Sequence, residues 1–149
     1  VEAPPTTAAV LAAAIVAMVA GCGSSSGPSR ADFVKRANAI CKRVNDQIAT
    51  AGQAKTVADV QRIGPAIIAA EQRGLADLRR LRVPASLTRD WQRLQSDLAQ
   101  ITSNAGRLLS AANAHDSSTA QTVANASQQT QTEITTIATR DGLGDCAKG

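Results

Sequence analysis

The 149-residue chain predicts an all-α fold, an up-down four-helix bundle with a kinked second helix and a C-terminal tail clipped to helix one by a disulfide. Three features carry that prediction. Apolar residues recur at three and four positions in four separate stretches, short runs rich in Gly, Pro, Asn and Ser separate the stretches, and Cys41 and Cys146 lie far apart near the two ends of the helical portion.

Helix one starts at Ser29-Arg30-Ala31-Asp32, which has the pattern of a capping box, and Phe33, Ala37, Ile40, Val44, Ile48 and Ala51 line one face of it. Gly52 ends it. A second capping box, Thr56 to Asp59, precedes Val60, Ile63, Ile67, Leu75, Leu78 and Leu81. Gly64-Pro65 interrupts that pattern, because proline lacks the backbone donor and crowds the preceding turn, so a kink is expected there. Val83-Pro84-Ala85-Ser86 forms the next turn, with Ser86 as the expected cap of helix three.

Helix three has the clearest pattern. Leu87, Trp91, Leu94, Leu98, Ile101, Ala105, Leu108 and Ala112 alternate spacings of four and three, a seam that asks for packing partners. Asn113 to Ser118 is the following loop. Helix four is expected over Thr119 to Arg140, with Val123, Ala124, Ser127, Thr130, Ile134, Ile137 and Ala138 inward. Its many Thr and Gln residues have modest helix propensity, so packing must hold it. Asp141-Gly142-Leu143-Gly144 stops it.

The run Ala8 to Ala20 is uncharged and thirteen residues long, short of the roughly 20 that span a bilayer but within the range of a signal-peptide core. It ends in Val19-Ala20-Gly21-Cys22, a lipobox pattern in which Cys22 takes a diacylglycerol thioether and becomes the first residue of the mature chain. The segment before the run carries Glu2 and no Lys or Arg, which departs from the usual positive start. A buried Ala-rich helix is the competing reading of Ala8 to Ala20. Against it stands Gly23-Ser24-Ser25-Ser26-Gly27-Pro28, which has the composition of a tether. The resulting division is residues 1–21 as signal peptide, 22–28 as tether and 29–149 as bundle domain.

With Cys22 assigned to lipid, Cys41 and Cys146 form an even remainder, read in an exported protein as a disulfide. The lengths agree: Cys41 is about 12 residues, or about 18 Å, into helix one. The tail from Asp141 to Cys146 reaches at most about 17 Å. Such a loop of about 100 residues is worth roughly 4 to 5 kcal/mol in the chain-entropy model. Metal binding would need more ligands than two thiols and the single His115, and a redox pair would more often be Cys-x-x-Cys.

Sixteen basic and 12 acidic residues give a net charge of +4. One Phe, one Trp and no Tyr leave little material for stacking bases or sugars. Arg73, Arg79, Arg80, Arg82, Arg89 and Arg93 surround the turn between helices two and three, a candidate contact surface for anionic lipid, wall polymer or an acidic envelope protein. The plainer reading is a solvated face with pairs such as Asp77 to Arg80 or Arg73 to Asp77. Asp32, Asp46, Asp59, Glu71, Asp77, Asp90 and Asp97 are spaced like ordinary helix-surface charges, and His115, beside Asp116 and Ser117, reads as a solvated loop residue. Trp91 reads as a core anchor. Ala66, Ala69, Ala70, Ala105, Ala111 and Ala112 either leave a groove or let helices pack closely. No catalytic, cofactor or metal motif appears.

Val19-Ala20-Gly21-Cys22, Ala31-Asp32-Phe33 through Ala39-Ile40-Cys41, Leu81-Arg82-Val83-Pro84-Ala85 and Gly142-Leu143-Gly144-Asp145-Cys146 together resemble small helical lipoproteins of high-GC Gram-positive, mycobacterial-like bacteria. The resemblance implies an exported helical domain, supports pairing of Cys41 with Cys146, and brings no activity with it. The expectation is a non-catalytic, monomeric protein held through lipid on Cys22 at the outer face of the cell membrane, binding or supporting an envelope assembly without nucleic acid or cofactor. A carrier of a lipid or other apolar molecule between helices, and an enzyme with an unrecognised site, are the alternatives.

Overall fold

A computed structural model describes residues 27–148. The signal-peptide reading of residues 1–21, the acylation of Cys22 and most of the tether lie outside the described residues. Four helices follow one another, α1 (Arg30–Ala51), α2 (Val57–Arg79), α3 (Thr88–Asn113) and α4 (Ser117–Asp141), with single 3₁₀ turns at Ala85–Leu87 and Cys146–Lys148. Each helix packs on the next, α1 on α2, α2 on α3 and α3 on α4, forming a helical bundle.

The helix starts follow from side chains that satisfy orphaned backbone donors. Ser29 Oγ accepts the Asp32 N–H at 3.0 Å and donates to the Asp32 carboxylate at 2.7 Å. Thr56 and Asp59 make a full capping box, each side chain accepting the other's backbone N–H at 3.1 Å. The hydrogen bonds from Arg62, Thr56 and Lys55 hold the Asp59 carboxyl down at about 2. Helix three corrects the expectation for Ser86. The residue lies inside the Ala85–Leu87 turn, and Leu87 precedes α3 without a side-chain cap. Helix four begins two residues before Thr119, because Asp116 caps it, accepting the Thr119 N–H at 3.0 Å and hydroxyl at 2.6 Å.

α2 runs as one α-helix through Gly64 and Pro65. In α4 the hydroxyls of Thr122, Thr130, Thr132 and Thr136 donate to carbonyls four residues back, so these weak helix formers leave no unmet donor. Gly142, at φ 82°, takes the left-handed conformation that closes α4. Leu143 N–H then reaches back to the Ala138 carbonyl at 2.7 Å. This Schellman turn drops Leu143, 1 % exposed, into the core.

That core gathers Phe33, Ala37, Leu78, Leu87, Trp91, Leu94, Ile134, Ala138 and Leu143 around the disulfide. Trp91 is buried within it, its ring edge-on to Phe33 at 4.8 Å and 82°. Cys41 and Cys146 are bonded across 105 residues of sequence. The tail is held by more than sulfur. Asn38 donates to the Gly142 carbonyl and accepts the Asp145 N–H, each at 3.0 Å, and Asn45 donates to the Asp145 carbonyl at 2.8 Å. Asn38, Cys41 and Asn45 are spaced three and four apart, so one stripe of α1 grips the whole return of the chain.

Candidate functional site

α1 packs on α2 and on the Cys146–Lys148 turn, and α4 packs on α3 and on the same turn. The turn therefore stands as a wedge between α1 and α4. Beside it lies a partly enclosed cleft of about 100 Å³, to which all four helices contribute. Val44 and Ile48 of α1, Leu75 and Leu78 of α2, and Leu98 and Ile101 of α3 make its lining mostly apolar. Asn45, Glu71, Thr102 and Gln131 supply the polar groups, and the disulfide borders it.

Glu71 and Gln131 are the polar groups left over, and of the two only Glu71 has a buried oxygen without a partner among the described residues. Asn45 is committed to the Asp145 carbonyl, and the Thr102 hydroxyl donates to the Leu98 carbonyl at 3.1 Å. Glu71 Oε2 is shut away from solvent and, among the described residues, has no hydrogen-bond partner. Burial pushes its carboxyl above the ordinary range, with the nearby Thr102 hydroxyl drawing it partly back. This corrects the reading of Glu71 as a surface charge. Of the other six acids in that group, Asp32 and Asp59 are in caps, Asp46 pairs with Lys42, Asp77 with Arg43 and Asp90 with Arg140. Asp97 is a second correction: it is buried on α3, where its carboxylate is met by Arg93 one turn earlier.

The alanines considered for a groove do not line this cleft. Ala70, Ala111 and Ala112 are buried, and Ala66 is exposed. Gly74 does the spacing instead: it is buried on the cleft side of α2, and a Cβ there would overlap Val44 Cγ2.

No family model, curated protein or solved structure matches the chain.

All six arginines of the basic cluster are exposed. Arg80 pairs with Asp77 at 3.6 Å, and Arg93 bridges Asp97 and Glu133. The expected Arg73 to Asp77 pair is replaced by a cross-helix one, Arg43 of α1 to Asp77 at 2.6 Å. Arg80 and Arg82 share a surface depression with Arg36, a residue outside the sequence cluster. His115, at φ 54°, is exposed in the turn before α4, and its neighbour Asp116 is occupied as the α4 cap. Joined in a disulfide, Cys41 and Cys146 offer no thiolate to a metal. Among the described residues, no helix is long and apolar enough to cross a membrane.

Proposed function

We propose that the protein is a non-catalytic binding protein anchored through lipid on Cys22 at the extracytoplasmic face of the cell membrane, and that the cleft beside the disulfide is its binding site. The observation that carries the reading is an apolar cleft ending on a carboxyl oxygen without a protein partner. A buried unpaired carboxyl is costly, and a ligand bringing a donor relieves that cost. The class this selects has a short apolar body and an amine or hydroxyl head.

The lipobox pattern supports the anchor, and the disulfide supports an oxidising compartment outside the cytoplasm. First helical residue Arg30 supports a tether ending near residue 28. We read the bundle as alternating in direction, with α2 bent at Pro65. Support comes from the α1–α2 and α3–α4 connections, which line one depression at Ala54, Lys55, His115 and Asp116, while Gly27, Pro28 and Arg80 to Arg82 line another.

Carriage of a whole lipid is the second reading, favoured by the apolar lining. About 100 Å³ falls well below the roughly 300 Å³ at which drug-sized ligand pockets begin, so the helices would have to part first. An enzyme would need several polar groups converging, and of the cleft's four polar side chains Asn45 and Thr102 are already committed to backbone carbonyls. The test is native mass spectrometry of protein extracted from its own membrane, followed by organic extraction. The expected result is a mass beginning at acylated Cys22 with a small amine or alcohol in the extract. A mass retaining residues 1–21 contradicts the anchor, and an extract empty of such molecules contradicts the binding role.

A further inference from the structure

Gly27 and Pro28 line the same depression as Arg36 of α1 and as Arg80 and Arg82 of the α2–α3 connection. All three arginines are exposed, although they lie 36 to 82 positions along the chain, and the fold alone brings them together. Asp32 is the acidic group in that depression, and its carboxylate accepts the Ser29 hydroxyl. The surface therefore carries a positive excess at the point where the described chain begins.

From Gly27 back to Cys22 there are five peptide steps, which cover at most about 17 Å however they are arranged. A membrane anchor at Cys22 holds this end of the bundle within that distance of the headgroups. The Debye length at physiological ionic strength is about 8 Å, so a tether of this reach lets the arginines come within the region where an anionic surface is felt. Lys55 and His115 line a separate depression, built from the α1–α2 and α3–α4 connections, to which neither Gly27 nor Pro28 contributes.

From this placement we infer that Arg36, Arg80 and Arg82 form a docking surface for an anionic phospholipid bilayer, which orients the bundle with its tether end down and its α1–α2 and α3–α4 connections outward. The inference rests on the reading of Cys22 as acylated. Arg80 exchanges its partner on docking, because its 3.6 Å contact to Asp77 is solvent-exposed and a lipid phosphate offers a better bidentate fit. The chemistry recognised is a phosphodiester in a plane, met by three guanidinium groups that converge from two parts of the chain.

The test is arginine footprinting with phenylglyoxal on the lipid-anchored protein, its mass first checked, after insertion into vesicles of phosphatidylcholine alone or mixed with phosphatidylglycerol. Arg62 and Arg107, exposed on other parts of α2 and α3, serve as internal references. The expected result is several-fold slower labelling of Arg36, Arg80 and Arg82 on the anionic vesicles, restored by high salt, with Arg62 and Arg107 unchanged. Equal labelling of all five on both vesicles overturns the docking surface while leaving the anchor intact. An unacylated Cys22 overturns the anchor and the inference with it. Protection by soluble polyphosphate without vesicles, absent on phosphatidylglycerol, would assign the surface to a wall-type polyanion and also overturn it.

Discussion

Gly74 of α2 lies so close beneath Val44 of α1 that a Cβ on it would overlap Val44 Cγ2. The two helices meet at this point on the border of the cleft, and glycine is what allows them to meet. Gly74→Ala should therefore destabilise the bundle by about 1 to 3 kcal/mol through overpacking. That outweighs the roughly 0.5 to 1 kcal/mol that alanine gains in a helix. Gly106→Ala in α3, where nothing lies within 4 Å of the new Cβ, should instead stabilise. Urea unfolding of the two variants checks both signs, and Val44→Ala placed with Gly74→Ala should recover part of the loss.

Reduction of the Cys41–Cys146 bond should cost about 2 to 5 kcal/mol, the range for a small secreted domain. Asn38→Ala should weaken the same return of the chain independently, by about 1 to 3 kcal/mol, because it removes the partners of both Gly142 and Asp145. Denaturant unfolding with the bond intact and reduced separates the two contributions. Hydrogen exchange at the Asp145 amide should rise in the Asn38→Ala variant even while the disulfide holds.

Glu71 predicts a pH dependence of defined sign. Its folded carboxyl is raised above the ordinary value, so its contribution is most favourable below the unfolded value and is lost as pH rises through the folded one. Glu71→Gln should accordingly raise Tm at pH 7, with the advantage shrinking toward pH 4. Melting curves at the two pH values read this directly, and an unchanged difference would contradict it.

Asp59 predicts the opposite sign. Held down at about 2 by the α2 cap, its carboxylate supports the fold above its ordinary value of 3.8, and that support is lost as pH falls through about 2. Asp59→Asn should lower Tm at neutral pH and remove this part of the acid sensitivity. An NMR titration of the side-chain carboxyl, with its midpoint near 2, checks the origin.

Most of this architecture was legible as periodicity. Leu87, just before α3, and Trp91 and Leu94 within it are buried as their four-and-three spacing requires, and the length match between α1 and the tail anticipated the clip. Features that depend on what faces a helix from elsewhere were not legible. Asp77 looks toward Arg73 and Arg80 along its own helix, yet its 2.6 Å partner comes from α1. Asp116 stood beside His115 as one polar loop residue, and only the chain direction after it reveals a cap. Ser86 had a capping side chain but lies inside a 3₁₀ turn.

Glu71 is the instructive miss. It sits four residues before Leu75 and seven before Leu78, on the same face as the α2 core, and that spacing was the available signal. Read by charge alone, it joined six acids that the fold does place in caps and ion pairs. Gly74, three residues on, carried no signal of its own, since close approach to Val44 appears only when α1 is in place.

The central claim is that the cleft binds a small apolar molecule through a donor to Glu71. Its most direct test is a ¹⁵N chemical-shift titration of the disulfide-intact protein at pH 7 with hexylamine and, separately, hexanoate. The account predicts saturable shifts at Val44, Gly74, Leu98 and Ile101 with the amine, weakened in Glu71→Leu, and none with the carboxylate. Equal responses to both ligands, or shifts scattered away from the cleft, would contradict it.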